Sequence, residues 1–308
     1  MRLIDKYGRP LTHMRISVTL KCNHNCIFCH HEGIPGISGE ELSASEWVFV
    51  AEAAVELGIK YYKITGGEPL VRSDIPDIVA GITGVGGEVS LVTNGSLLSQ
   101  YAVKLAEAGL ARINISLHSL NPSVFKNITR GDLNRVLEGI KSAVDAGIPV
   151  KIDYLVLSLN EDEYKEIISY AERIGADLNI IELIPLGMSL GDYNKLHRKL
   201  DKIQEYLEQI STRKYVKEFQ SRPTYVLPTG IQVTLVKGYD NPELCMRCTR
   251  IRATPDGKLK TCIYRNDILI DMKPAIKERD KEALKKLIEK ANSLREPFFK
   301  SLKKNTAK

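Results

Sequence analysis

Six cysteines are the residues of this sequence best suited to do chemistry. They form two groups of three, Cys22, Cys26 and Cys29 near one end and Cys245, Cys248 and Cys262 near the other, with none left over. In a reducing cytosol such clustering favours metal binding or catalysis over disulfides. A cubane [4Fe–4S] cluster normally takes four thiolates, so three from one short loop leave one iron open to a small molecule. Zinc competes with that reading, because His24, His30 and His31 stand beside the first group and would complete a Cys3His site. In the second group Pro255-Asp256-Gly257-Lys258 reads as a turn that returns Cys262 to the Cys245–Cys248 pair. Zinc stays open there too, with a distant His197 or a carboxylate as fourth ligand.

Other residues gather near these groups. Arg250 and Arg252 lie between the second cysteines at period-two spacing, so on an extended segment both point one way. Paired guanidinium forks suit phosphate oxygens; a surface salt bridge is the plainer alternative. Lys63 and Lys151 fall on apolar strands, where a strand-edge lysine usually reaches for solvent. In Thr65–Pro69 (TGGEP), Gly66 and Gly67 would let the backbone approach a ligand closely, and Glu68 is placed to fix the loop. Taken alone, Asn94-Gly95 reads as a tight turn and Ser116 as a strand serine.

The elements that must position these residues alternate regularly. Helical stretches near Ser45–Leu57, Asp74–Ile82, Ser99–Ala108, Leu133–Ala146 and Glu161–Ile174 separate strands at Met14–Leu20, Ile59–Ile64, Val89–Val92, Leu110–Leu117, Ile148–Leu157 and Ala176–Ile184. Gly58, Gly109, Gly147 and Gly175 precede four of the strands as left-handed helix caps. The pattern predicts an α/β fold, a partial (βα)6 TIM-type barrel over residues 1–190, with chemistry at the carboxyl ends of the strands. The rhythm stops near Gly187–Asp192. Residues 191–308 are expected to form a connector helix (Tyr193–Ile210) and a smaller α+β cluster- and substrate-binding region with strands at Thr224–Leu227 and Ile231–Val236.

The 308 residues carry a net charge of +6, are 43% hydrophobic and 27% charged, and contain no low-complexity tract, as expected of a folded domain. No apolar run approaches a membrane span and the first residues lack a signal-peptide core, so a cytoplasmic location is expected. No basic block interleaved with aromatics argues for nucleic acid.

Cys-x3-Cys-x-aromatic-Cys, with Phe28 as the aromatic residue, resembles the signature of the radical S-adenosylmethionine enzymes, and TGGEP resembles the motif with which they hold the methionine amino group. The resemblance implies that the open iron chelates S-adenosylmethionine and that one electron cleaves it to methionine and a 5′-deoxyadenosyl radical. From Arg15 to about Arg295, with TRIR inside the second triad, the chain resembles the GTP 3′,8-cyclase family of molybdenum cofactor biosynthesis. That resemblance implies two [4Fe–4S] clusters, the second binding guanine through its open iron. It also implies hydrogen abstraction from C3′ and attack of the carbon radical on C8, giving 3′,8-cyclo-7,8-dihydro-GTP. By motif position, Phe28, Gly67, Ser116 and Ile184 would border S-adenosylmethionine. Arg15, Lys63, Thr93, Lys151, Arg250 and Arg252 would serve GTP. The implied partners are a ferredoxin or flavodoxin as electron donor, a cyclic pyranopterin monophosphate synthase as recipient of the product, and a second copy in a homodimer. Three features depart from the family: Tyr61 and Asn179 replace basic residues, and the chain ends Asn305-Thr306-Ala307-Lys308 instead of Gly-Gly. The competing classes are a radical enzyme with an auxiliary cluster acting on a peptide or tetrapyrrole, a radical tRNA-modifying enzyme, and a zinc-binding or electron-carrier protein.

Overall fold

A computed structural model describes residues 3–299. Strands β1 (His13–Ser17), β2 (Tyr61–Thr65), β3 (Glu88–Thr93), β4 (Arg112–Ser116), β5 (Val150–Val156) and β6 (Asp177–Glu182) lie side by side in that order and run parallel. Helices α1 (Ala44–Glu56), α2 (Ile75–Gly84), α3 (Ala102–Glu107), α4 (Pro122–Thr129), α5 (Leu133–Asp145) and α6 (Tyr164–Ile174) make the crossovers. The four glycine caps all take positive φ, from +68° at Gly175 to +87° at Gly58, which a side chain would resist.

Strand alternation divides these residues into two faces. Met14, Ile16, Tyr62, Ile64, Val89, Leu91, Ile113, Ile115, Ile152, Tyr154, Leu178 and Ile180 belong to the apolar core. Their neighbours Arg15, Lys63, Ser90, Arg112, Asn114, Lys151, Asp153 and Asn179 point the other way, into a cavity. The barrel interior is therefore polar and hollow, where TIM barrels fill theirs with branched apolar side chains.

The C-terminal segment extends both edges of the sheet. Beyond β6 come β7 (Arg213–Lys217), β8 (Arg222–Val226) and β9 (Gln232–Val236), with β9 parallel to β6. On the other side β10 (Arg250–Ala253) pairs parallel with β1, followed by β11 (Lys258–Lys260) and β12 (Leu269–Asp271). The sheet does not close by strand pairing. Its two arms meet through a ring stack and a backbone hydrogen bond instead: Phe219 stacks on His13 at 4.8 Å, and Gln220 N–H donates to Arg247 O at 3.2 Å.

The structure departs from the sequence pattern in three places. The single connector helix is two, α7 (Leu190–Leu196) and α8 (Asp201–Ile210). His197 takes an extended conformation between them, pairs with Leu157 and places Nε2 2.9 Å from Glu182. That tertiary anchor overrides a continuous helical pattern. Helix α4 was not expected, and neither was β7, whose polar RKYVK lies at the outer edge. Among the described residues no helix is long and apolar enough to cross a membrane. The C-terminal residues where Gly-Gly is missing lie outside the described residues.

Candidate functional site

The first cysteine loop leaves the carboxyl end of β1 and is held from outside by α4. Asn25 N–H donates to Thr129 O and Ile27 N–H to Ile128 O, both at 3.0 Å, and Cys26 Sγ lies 3.9 Å from Thr129 O. His24 packs edge-on to Phe125 and covers Gly131, where a Cβ would strike its ring at 2.4 Å. His30 Nδ1 accepts from Glu32 N–H at 3.1 Å. These histidines support the loop.

TGGEP lies against the backbone that leads into the loop. Gly67 N–H donates to Thr19 O and Glu68 N–H to Lys21 O, and a Cβ on Gly67 would sit 2.2 Å from Lys21 O. The glycines thus permit backbone-to-backbone contact. Buried Glu68 accepts from Leu70 N–H (3.0 Å), Thr93 Oγ1 (2.7 Å) and Asn94 N–H (2.6 Å), tying the end of β2 to the end of β3. Burial raises its pKa against those three donors.

The second triad is assembled from helix α9 (Pro242–Met246), the turn after it, and the strand end after β11. The hairpin expected at Pro255–Lys258 forms, with Ala253 opposite Leu259. Asp256 braces it by accepting from Thr254 Oγ1 at 2.6 Å and Ser38 N–H at 3.1 Å. Arg9 donates to Cys245 O at 2.9 Å, Arg295 donates to Cys248 O, and buried Asp5 holds Arg9 at 2.8 Å. The segments beside the two triads also meet: a Cβ on Gly33 would lie 2.1 Å from Ile263 O, and Lys260 Nζ donates to Gly33 O.

Two adjoining hollows of about 290 and 470 Å³ fill the interior and share Arg222, Arg250, Arg252 and Asp153 among their walls. The smaller has Phe28, Ser116, Ile184 and all three second-triad cysteines among its walls. The larger is lined by eight cations, Arg15, Lys63, Arg112, Lys151, Lys217, Arg222, Arg250 and Arg252, against the four carboxylates Glu32, Glu88, Asp153 and Asp177. Glu32 takes Arg15 at 2.6 and 2.9 Å and Arg252 at 2.6 Å. Burial would raise its carboxyl, but the two guanidiniums hold it well below the usual range. Lys151 pairs with Asp177 at 3.4 Å. Lys63 donates only to Asn114 at 2.9 Å, and burial pushes it well below an ordinary lysine. Burial, with Arg252 and Arg15 beside it, does the same to Arg250. Unpaired cations at this depth are costly unless an anion joins them.

The structure thus brings Phe28, Ser116, Ile184, Arg15, Lys63, Lys151, Arg250, Arg252, Cys245, Cys248 and Cys262 around one space. Gly67 and Thr93 are not on its walls; the Thr93 hydroxyl is engaged with Glu68 and Gly95. Tyr61 stacks on His13 at 4.6 Å, and the Asn179 amide donates to Asp153 at 2.6 Å. Sequence reasoning missed Glu32, Arg112, Asp153, Lys217, Gln220 and Arg222. Period-two alternation on β4 and β5 could have found Arg112 and Asp153, whereas Glu32 and Gln220 come from loops without a pattern.

The donor sets fit clusters better than zinc. All six thiols are free, and each set offers three thiolates, the ligand of iron–sulfur clusters. His24 is committed to packing, and His197 is engaged with Glu182. Among the described residues no three His, Cys, Asp or Glu side chains converge on a position for a single metal ion. Burial pushes the Cys26 thiol up to about 12 and raises Cys22, Cys29, Cys245 and Cys262. Cys248 moves down: burial opposes ionisation, but Arg250, Arg295 and Arg9 outweigh it. Two buried polar atoms on the walls, Arg222 Nε and Thr261 Oγ1, have no partner among the described residues, as expected where a ligand belongs.

The model described as Radical SAM superfamily matches residues 16–171, and that described as Molybdenum Cofactor Synthesis C matches residues 176–301. A "Probable GTP 3′,8-cyclase" of Metallosphaera sedula is 41% identical over 312 residues, covering 98% of each chain. One of Saccharolobus solfataricus is 44% identical over 307 residues, covering 97% of this chain and 99% of the relative. In fold, the chain resembles Streptococcus suis SuiB bound to S-adenosylmethionine, with TM-score 0.64, 15% identity, and coverage of 91% of this chain and 65% of that one. It also resembles anSMEcpe with bound AdoMet, with TM-score 0.61, 15% identity, and coverage of 88% and 82%.

Proposed function

We propose that this chain, which belongs to the GTP 3′,8-cyclase family of the radical S-adenosylmethionine superfamily, converts GTP to 3′,8-cyclo-7,8-dihydro-GTP between two iron–sulfur clusters. Cys22, Cys26 and Cys29 would hold the first cluster, and Cys245, Cys248 and Cys262 the second. When bound, the first cluster would supply the electron that cleaves S-adenosylmethionine; the 5′-deoxyadenosyl radical would take hydrogen from C3′ of GTP so that C3′ joins C8, and a second electron with a proton would reduce the cyclised radical to the dihydro product. Phe28, Ser116 and Ile184 border the S-adenosylmethionine, and Gly67 and Glu68 keep the motif loop against the cysteine loop. Arg15, Lys63, Lys151, Arg250 and Arg252 take the triphosphate, while Thr93 acts on the site through Glu68. Residues 1–190 carry the radical half and 191–308 the auxiliary half. A ferredoxin or flavodoxin supplies both electrons, a cyclic pyranopterin monophosphate synthase takes the product, and the enzyme works in the cytoplasm.

One observation supports this reading above the others. The hollow that has Phe28 and the second-triad cysteines on its walls adjoins one lined by eight cations. A nucleotide with its base in the first and its phosphates in the second matches that pairing; a tetrapyrrole or acidic peptide spreads its carboxylates around its periphery or along its length. Reconstituted enzyme, incubated anaerobically with GTP, S-adenosylmethionine and a reductant, should form 5′-deoxyadenosine only when GTP is present and yield an isomer of GTP by mass. Equal 5′-deoxyadenosine without GTP, or an unchanged nucleotide, refutes it.

A further inference from the structure

Lys217 and Arg222 face one another across the β7–β8 pairing at the outer edge of the sheet, yet both side chains line the cation-rich hollow. Neither forms an ion pair with a carboxylate among the described residues. Arg222 donates through one terminal nitrogen to Gln220 Oε1, but its Nε is buried without a partner. Lys217 Nζ donates to Thr234 Oγ1 at 3.3 Å, and Thr234 is the strand partner of Asn179. Burial, with Lys151 next, holds the Lys217 ammonium at a pKa of about 8. Burial likewise lowers Arg222 to about 10.

The corner between the two strands carries backbone strain. Gln220 and Ser221 are consecutive non-glycine residues at φ +60° and +47°, a region that L side chains rarely adopt. The result is to turn Phe219, Gln220 and Arg222 inward. The Arg222 and Arg250 guanidiniums lie 5.3 and 5.0 Å from the Phe219 ring, which stacks on His13. A hairpin shaped only for folding has no reason to carry two cations that pair with no carboxylate among the described residues to the wall of a hollow that already holds six.

We infer that Lys217 and Arg222 are substrate-binding residues that grip the polyphosphate of a nucleoside triphosphate, making the β7–β8 hairpin an arm of the phosphate site that faces Arg15 and Lys63. This rests on the nucleotide reading above. An Arg fork with a free Nε–H suits bidentate binding of a phosphate, and an anion beside Lys217 would favour its charged form and raise its pKa again.

The test is equilibrium binding to the anaerobic holoenzyme of GTP, GMP and guanosine, with iron content measured on every sample. The proteins are wild type, Lys217→Gln, Lys217→Arg and Arg222→Gln. Loss of one charge-assisted contact should weaken GTP about tenfold or more in Lys217→Gln and Arg222→Gln, leave guanosine unchanged, and leave Lys217→Arg close to wild type. Lys217 is only partly buried, so its variants keep the question answerable if Arg222→Gln misfolds. Unchanged GTP affinity in Lys217→Gln, or equal weakening of GTP and guanosine, overturns the inference. If wild type itself does not prefer GTP to guanosine, the nucleotide reading fails and this inference falls with it.

Discussion

Arg15 and Arg252 stand side by side across the β1–β10 pairing and share the carboxylate of Glu32. Like charges in register on neighbouring strands repel, so this carboxylate holds together the seam where the C-terminal segment joins the barrel. Glu32 contacts one residue from each half of the chain, and Thr65 Oγ1 at the end of β2 completes its shell.

Glu32→Gln should therefore destabilise the protein by about 3–5 kcal/mol, the usual cost of removing one partner of a buried ion pair. Denaturant unfolding measures it. Pyrophosphate should restore stability to the variant more than to wild type, because the freed guanidiniums need an anion. Equal stabilisation of both proteins would show that these arginines do not meet phosphate.

The two triads should be separable. Cys26→Ala should lose about half the iron and all reductive cleavage of S-adenosylmethionine. Cys248→Ala should lose the other half yet retain a first-cluster signal in electron paramagnetic resonance. Equal loss of both signals in either variant would indicate one shared site.

Gly33 should tolerate no side chain. At φ +66°, with a Cβ position 2.1 Å from Ile263 O, Gly33→Ala must part the segment after the first triad from the one that holds Cys262. We expect a loss of more than about 2 kcal/mol from strain and contact together, with iron lost chiefly from the second triad. Wild-type stability and iron content would refute this contact.

His118 and His13 should give the cluster-free protein an acid-sensitive stability. Burial lowers both to about 3; His118 Nδ1 accepts from Leu155 N–H at 3.2 Å, and Phe28 packs edge-on against its ring. In the unfolded chain each takes a proton near pH 6.5. Below that pH the unfolded state binds protons that the native state refuses, so stability is complete above about 6.5 and falls as pH drops towards 3. Unfolding free energy measured from pH 8 to 5 should decline with a steeper slope in wild type than in His118→Gln. Parallel slopes would mean that His118 is protonated in the fold.

The sequence by itself determined the two thiolate triads, the βα rhythm with its glycine caps, and the arginines at period two. Each is a local signal, set by spacing along a few residues or one element. Only the tertiary structure decided that the C-terminal segment extends both edges of the sheet, placing Arg252 beside Arg15 and Phe219 on His13. It also decided that Glu32 neutralises two arginines while Lys217 and Arg222 are left to face the hollow. Those facts depend on which strands pair, and parallel partners such as β1 and β10, more than 200 residues apart, leave no trace in any local window. Strand pairing sets where charge accumulates, and this barrel is hollow because its inward side chains are polar.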